Sequence, residues 1–133
     1  MLYCVNERKI KHACEVGVFR GGYSREILGR IDSLETLYLV DLWKNQANYH
    51  DLCNGTQEEM NEHFLKTLDN TSKWKDKTKV LKGYSTSVCD EIPDNSLDWV
   101  YIDARHDYLG CKEDIHAYWP KLKSNGNMSG HDY

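Results

Sequence analysis

Short apolar segments alternate along the chain with segments in which apolar residues recur at helical spacing. Four of the short segments predict β-strands, at residues 12–18, 36–41, 79–83 and 97–103. A fifth and less regular candidate covers residues 126–130. The second and fourth segments are almost continuously apolar and rich in β-branched or aromatic residues, as expected for parallel strands that are covered on both faces.

The intervening segments predict three α-helices, of which the first covers residues 25–31 and the third covers residues 108–119. Ser24 is the predicted N-cap of the first helix. Residues 56–59 have the spacing of a capping box, which predicts the start of the second helix. Pro120 should end the third helix, because proline cannot continue one. The apolar residues expected to face the core are Ile27, Leu28, Ile31, Met60, Phe64, Leu65, Leu68, Leu109, Ile115 and Trp119.

The alternation of strands and helices indicates the α/β class with a mostly parallel sheet. The chain has 133 residues and contains no linker-like, repetitive or low-complexity segment. That length is typical of one compact domain. We therefore expect a single domain over residues 1–133.

Composition argues against several classes of function. The net charge of -4 provides no general attraction for nucleic acid or an anionic membrane. No apolar run reaches the roughly 18 residues of a membrane span. The five cysteines contain no C-x-x-C pair, so neither a disulfide framework nor a structural zinc site is expected. Reduced thiols and a cytoplasmic location are the expectation.

Glycines or polar residues follow every predicted strand, at residues 17–22, Asp41, residues 83–85, Asp103 and residues 131–132. Parallel α/β sheets bind ligands at the carboxyl ends of their strands, near the point where the strand order reverses. Tight turns or helix caps explain any one of these groups. A suitable group after every strand indicates a ligand site.

The glycine loop after the first strand distinguishes two kinds of nucleotide-like ligand. In the pattern G-x-G-x-x-G the middle glycine lets the backbone approach a pyrophosphate. Gly17 and Gly22 match the outer glycines, but Phe19 holds the middle position and should obstruct a pyrophosphate. Asp41, at the end of the second strand, suits hydrogen bonds to ribose hydroxyls. A ligand with a ribose but no phosphate, such as S-adenosylmethionine, fits both observations.

Taken together, these motifs resemble those of class I S-adenosylmethionine-dependent methyltransferases. Residues 15–24, EVGVFRGGYS, are similar to the E/D-x-G-x-x-x-G loop of that family, residues 39–41 to its acidic second-strand end and residues 83–85 to its third-strand turn. Residues 101–108 and 122–133 are similar to one branch in particular, the small-molecule O-methyltransferases of the macrocin O-methyltransferase type with their cephalosporin-hydroxylase relatives. The resemblance covers nearly the whole chain.

The resemblance implies a three-layer Rossmann-like sandwich with strand order 3-2-1-4-5 that lacks the usual last two strands. In such a site residues 15–24 would surround the methionine moiety and Asp41 would hold the ribose. Residues 42–43 would flank the adenine, residues 84–85 would contact its edge, and Asp103 would lie beneath the sulfonium. The implied cofactor-binding residues are Glu15, Gly17, Gly21, Gly22, Ser24, Asp41, Leu42, Trp43, Tyr84, Ser85 and Asp103.

The same resemblance implies catalytic candidates at the ends of the fourth and fifth strands. Asp103 and Asp132 match positions where some of these O-methyltransferases hold a divalent cation such as Mg²⁺, which lowers the pKa of the acceptor oxygen. His131 occupies a position where relatives can carry a carboxylate. It is a third metal ligand, a general base or a strand-end cap, and these alternatives stay open. Asp103 and His131 are therefore the catalytic candidates.

Two further segments admit two interpretations each. His106 and Asp107 either form a metal cluster with Asp103, or His106 packs beside the mouth of the site while Asp107 caps the next helix, which is the favoured alternative. The polar loop after the second strand is either a lid over the cofactor or a plain surface loop. The loop residues that bear on this choice are Tyr49, His50 and Cys53.

The chain departs from the family pattern at both ends. It stops at Tyr133, directly after the fifth predicted strand, and eleven residues precede the first strand. An uncovered fifth strand would be an unpaired edge, so we expect this edge either to be paired or to be buried in a homodimer. The leading function is methyl transfer to a small-molecule acceptor, expected to react through a hydroxyl. The alternatives are a cofactor-binding domain without catalysis and, less favoured, an NAD-dependent oxidoreductase.

Overall fold

Strands and helices alternate throughout residues 9–131, which are the residues that the computed structural model describes. Three 3₁₀ turns, Ser72–Trp74, Cys89–Glu91 and Trp119–Lys121, join some of these elements. The order along the chain is β1 (His12–Val16), α1 (Gly22–Arg30), β2 (Thr36–Asp41), α2 (Gln57–Thr71), β3 (Thr78–Lys82), α3 (Ser85–Val88), β4 (Leu97–Ile102), α4 (Tyr108–Tyr118) and β5 (Leu122–Gly130).

The five described strands form one parallel sheet in the order β3-β2-β1-β4-β5. This confirms both the α/β class predicted from the sequence pattern and the strand order implied by the family resemblance. The order reverses at β1, which pairs with β2 on one side and β4 on the other. Glu15 of β1 consequently lies beside Leu39 and Tyr101. The sheet therefore brings the carboxyl ends of its strands together at the usual ligand-binding crevice.

Two separate apolar clusters cover the two faces of the sheet, which makes the fold a three-layer sandwich. On one face Ala13, Leu37 and Trp99 pack with Ile27 of α1. On the other face the cluster contains apolar residues of β1, β2 and β4 together with Cys89, Ile92 and Tyr118. Successive residues of a strand point to opposite faces, so a strand covered on both sides must be apolar throughout.

The start of α1 differs from the sequence prediction. The helix begins at Gly22, and its N-cap is Gly21, whose φ of 79° is the left-handed conformation. Ser24 is buried inside the first turn instead of capping it, and its hydroxyl donates a hydrogen bond to Glu15. Glycine is suited to this N-cap position because it adopts a positive φ without steric cost.

The capping box of α2 is confirmed, and its predicted inward face is confirmed in part, for the buried Met60 and for Phe64, which packs against the core. Thr56 and Glu59 exchange the two hydrogen bonds of the box, at 3.2 Å and 2.8 Å. Leu65 and Leu68, however, are 63% and 40% exposed. Buried positions later in the helix belong to threonines, whose hydroxyls are satisfied by carbonyl groups within the fold. Threonines whose hydroxyls are hydrogen-bonded can replace leucines on the core face of a helix, and the spacing of apolar residues does not reveal this.

Helix α4 is rotated relative to the prediction. Leu109, Ile115 and Trp119 were expected to face the core, and all three are exposed. Residues Gly110, Asp114 and Tyr118, four positions apart, are buried instead. The prediction was wrong because a glycine and an aspartate carry no apolar signal, although both can occupy the inward stripe of a helix.

The other boundaries lie close to their predicted positions. Strand β5 is longer than predicted, since it begins at Leu122, and its pairing with β4 shifts register between Leu97 and Trp99. Helix α4 ends at Tyr118, and Pro120 lies in the following 3₁₀ turn. No helix within residues 9–131 is long and apolar enough to cross a membrane.

Substituting Gly17 by alanine should strongly destabilise the protein. Gly17 has a φ of 93°, and a Cβ atom there would lie 2.1 Å from the backbone oxygen of Asp103. We expect Gly17→Ala to lower the free energy of unfolding by about 2 kcal/mol or more. Gly22→Ala is the matched control, because its Cβ would meet no atom within 4 Å. Urea denaturation would measure both changes, and equal stabilities of the two variants would contradict this account.

Candidate functional site

A cavity of about 550 Å³ opens at the carboxyl ends of the strands. Its wall includes residues that follow each of the five strands, from Gly17 after β1 to His131 after β5. The volume is typical of small-molecule sites, which enclose roughly 300–1,000 Å³. The structure therefore brings together in one cavity the segments that the sequence predicted separately.

Asp41 organises the loop between β1 and α1. Its Oδ2 accepts hydrogen bonds from the backbone amides of Val18 and Phe19, both at 2.8 Å, and its Oδ1 accepts one from the amide of Trp43 at 3.0 Å. A carboxylate offers about four lone-pair positions, so capacity for a ligand hydroxyl remains. Asp41 also lines the cavity. The sequence indicated a role in ligand binding for this residue but not its role in shaping the loop.

Phe19 occupies a left-handed conformation with a φ of 62°. Its carbonyl oxygen accepts hydrogen bonds from Trp43 Nε1 at 2.8 Å and from Thr67 Oγ1 at 3.0 Å. Its ring contacts His63, and the guanidinium of Arg20 lies 4.8 Å from the ring centre. These contacts hold a bulky side chain in the cavity wall at the position where a dinucleotide loop needs glycine.

Trp43 corrects one expectation from the sequence. It is fully buried, packs against Phe64 with ring centres 4.9 Å apart and does not line the cavity. Its contribution is to hold the carbonyl of Phe19. Leu42, by contrast, does line the cavity, together with Tyr84 and Ser85. The residues expected at an adenine therefore reach the cavity except for Trp43.

Glu15 is a buried carboxyl in the cavity wall. It is 2% exposed and accepts a hydrogen bond from the hydroxyl of Ser24. Burial raises the pKa of Glu15 to about 8; the bond from Ser24 lowers it, and the nearby charges of Asp41 and Asp103 raise it. The carboxyl is therefore mostly uncharged at neutral pH, and a cationic group in the cavity would favour its ionisation.

The remaining glycine-loop residues divide into two groups. Gly17 and Gly22 line the cavity. Gly21 and Ser24 do not, since Gly21 packs against Thr67 of α2 and Ser24 points to Glu15. These two residues support the cavity wall through their contacts with Thr67 and Glu15, but they do not line the cavity.

Asp103 faces two histidines at the mouth of the cavity. Its Oδ1 lies 3.7 Å from Nε2 of His106 and 3.9 Å from Nδ1 of His131. All three residues line the cavity. Asp132, the other predicted metal ligand, lies outside the described residues. Within residues 9–131 no group of three or more potential metal ligands is assembled.

The favoured interpretation of the segment after β4 is confirmed for Asp107. This residue caps α4 through a 2.7 Å bond from the Gly110 amide to its carboxylate. That bond lowers the pKa of Asp107, and Arg105 lowers it further. His106 lies in the cavity wall, as this interpretation expected.

The loop between β2 and α2 forms part of the same cavity wall. Its lining residues include Tyr49 and Cys53, whereas His50 is exposed and lies outside the wall. The hydroxyl of Tyr49 accepts a hydrogen bond from the His106 amide at 3.3 Å, which connects this loop to the segment after β4. This contact favours a cover over the cavity rather than an unrelated surface loop. The sequence did not indicate the other wall residues of the loop, which are Gln46, Asp51 and Asn54.

Comparison with known families identifies the class of the chain. Residues 14–133 match a family model described as a methyltransferase domain, so the chain belongs to this methyltransferase family. The search of curated proteins found no match.

Several solved structures share the fold. A putative caffeoyl-CoA O-methyltransferase from Staphylococcus aureus has a TM-score of 0.70 and 18% identity, over 96% of this chain and 53% of that one. The O-methyltransferase NovP has a TM-score of 0.67 and 18% identity, over 99% of this chain and 61% of that one. A precorrin 8w decarboxylase from Methanobacterium thermoautotrophicum has a TM-score of 0.65 and 20% identity, over 96% and 57%. The chain thus spans a little over half the length of these proteins.

Glu15 should make stability depend on pH. Since its pKa is raised from an ordinary 4.5 to about 8, the unfolded chain ionises Glu15 in this interval while the folded chain keeps it protonated. The free energy of unfolding should therefore fall as pH rises through this range, by at most about 1.4 kcal/mol per pH unit from this group, and level off above it.

Glu15→Gln should remove that part of the decline while keeping the side-chain shape. Urea denaturation of both proteins between about pH 5 and about pH 9 would measure the difference. Glu26→Gln, at an exposed position of α1, is the control and should follow the parent protein. A parent and Glu15→Gln variant with parallel pH profiles would show that Glu15 ionises normally.

Proposed function

We propose that this protein binds S-adenosylmethionine and transfers its methyl group to a hydroxyl of a small-molecule acceptor. The observation that carries the proposal is the single cavity to which all five strand ends contribute, in a chain of the methyltransferase family. The O-methyltransferases among the structural neighbours support the hydroxyl acceptor only by analogy.

The residues of the cavity wall fit the chemistry of S-adenosylmethionine. Glu15 offers a buried carboxyl whose ionisation a cationic ligand would favour. Asp41 retains capacity to accept a hydrogen bond from a ribose hydroxyl. Leu42 and Tyr84 offer apolar surface for a purine, and Ser85 offers a polar contact at its edge. Phe19 opposes a pyrophosphate, which argues against a nicotinamide dinucleotide.

Methyl transfer requires alignment and removal of a proton. S-adenosylmethionine supplies an electrophilic methyl group on a sulfonium, and the protein must hold the acceptor oxygen in line with it. His131 and Asp103 lie together at the cavity mouth. In this proposal His131 accepts the acceptor proton, and the neighbouring carboxylate of Asp103 stabilises the resulting imidazolium. The other proposed means of lowering the acceptor pKa is a divalent cation, which Asp103 and Asp132 would hold.

A second candidate function is cofactor binding without transfer. The chain spans 53–61% of the length of the three solved structures described above. The alternative predicts a complete cofactor site with no methylated product, so binding and transfer must be measured separately.

Titration calorimetry should detect S-adenosylmethionine and S-adenosylhomocysteine but not NAD. Asp41→Asn should weaken both sulfur ligands about tenfold or more, because a neutral amide is a poorer acceptor for the ribose and for the loop amides. Asp69→Asn is the control, because Asp69 is an exposed residue of α2 outside the cavity wall. Binding of NAD alone would overturn the proposal.

Transfer of a radiolabelled methyl group to a panel of small hydroxylated acceptors, with and without Mg²⁺, would test the reaction itself. We expect Asp103→Asn and His131→Gln to lower the rate about 100-fold, which is typical for loss of general-base assistance. Cofactor affinity should change little in His131→Gln. Binding of both sulfur ligands without transfer to any acceptor would favour the non-catalytic alternative.

A further inference from the structure

Helix α4 holds Ser85 of the cavity wall at two points. The hydroxyl of Ser85 donates a hydrogen bond to Oδ1 of Asp114. The hydroxyl of Tyr118, one helical turn further along, donates a 2.8 Å bond to the carbonyl oxygen of Ser85. Both α4 residues are buried, whereas Ser85 lines the cavity. The orientation of Ser85 is thus determined by residues that do not themselves line the cavity.

Asp114 is an unusual residue for the inward face of a helix. It is 2% exposed, and within residues 9–131 its Oδ2 has no hydrogen-bond partner. Burying a carboxyl with one hydrogen bond costs free energy that an apolar residue would avoid. It does not cap α4, because Asp107 does. Arg105, the nearby cation, bonds to Asp107 at 2.8 Å instead.

The hydrogen bond to Asp114 restricts what Ser85 can offer a ligand. A serine hydroxyl has one proton, and in the structure it is donated to Oδ1 of Asp114, so this proton is committed to Asp114. The lone pairs of the hydroxyl oxygen remain. Ser85 therefore faces a ligand as an acceptor, whereas a free serine hydroxyl can rotate to act as donor or acceptor.

We propose that Asp114 is a positioning residue that fixes Ser85 as an acceptor and thereby selects 6-amino over 6-oxo purine nucleosides. The inference rests on the proposed function, because it places the purine edge of the ligand at Ser85. A 6-amino group donates a hydrogen bond to the fixed oxygen. A 6-oxo group puts an acceptor against an acceptor, which leaves both groups unsatisfied. Such mismatches give the strongest discrimination between similar ligands.

The test compares the affinities of S-adenosylhomocysteine and its deaminated analogue S-inosylhomocysteine by titration calorimetry. For the parent protein we expect the adenosine ligand to bind at least about tenfold more tightly. In Asp114→Leu, which removes the acceptor, the hydroxyl of Ser85 is released to donate to the 6-oxo group. The ratio of the two affinities should fall to within about threefold of unity.

Three further variants make the result specific to this pair of residues. Ser85→Ala should also abolish the preference, and adding Asp114→Leu to Ser85→Ala should not change the ratio further, as coupled residues require. Glu113→Gln removes a neighbouring acidic charge on the exposed side of α4 and should leave the ratio intact. Circular dichroism would establish that each variant is folded, and Ser85→Ala provides the test if Asp114→Leu is not.

The outcomes separate this inference from the proposed function. If S-adenosylhomocysteine does not bind the parent protein, the proposed function fails and the inference fails with it. If it binds but S-inosylhomocysteine binds equally well, only the inference is overturned. The same holds if the preference persists in Asp114→Leu or in Ser85→Ala.

Discussion

The carboxylate of Asp41 is the interaction on which the geometry of the site depends. It accepts hydrogen bonds from three backbone amides, those of Val18 and Phe19 after β1 and that of Trp43 after β2. Asp41 therefore joins the ends of two neighbouring strands. Charge-assisted bonds of this kind are stronger than neutral ones. They allow Phe19 to remain in a left-handed conformation that would otherwise be unfavourable. The shape of the cavity wall is consequently set by the acidic strand end as much as by the glycines.

Two buried carboxyls give the interior of the sandwich its chemistry. Glu15 on one face of β1 and Asp114 on α4 each accept a hydrogen bond from a serine hydroxyl, and burial raises the pKa of both. Glu15 lies in the cavity wall, where a cationic ligand would change its charge state. Asp114 lies behind the wall and acts through Ser85. Retaining two such groups in a core is costly, which points to binding rather than folding as the reason for them.

Much of the fold and part of the site could be predicted from local pattern. Strand β2 was predicted at its observed bounds because a parallel strand covered on both faces must be continuously apolar. The capping box of α2 was predictable because its two hydrogen bonds depend on residues only three positions apart. Helix faces were predictable only in part: Ile27 and Leu28 of α1 are buried as expected. Thr67 and Asp114 were not predicted, since they are buried through bonds to groups that are distant in sequence. A polar residue can enter a core once such a partner exists, and apolar periodicity carries no information about partners.

The sequence by itself determined the order of elements, the glycine loop and the presence of a polar group after each strand. Only the tertiary structure decided what each group does. It buried Trp43 to hold the carbonyl of Phe19, although the sequence placed Trp43 beside a ligand. It also brought His106 and His131 to within 4 Å of Asp103. The physical reason is that roles depend on burial and on hydrogen-bond partners, which the crossing of strands and helices supplies and which local spacing does not contain.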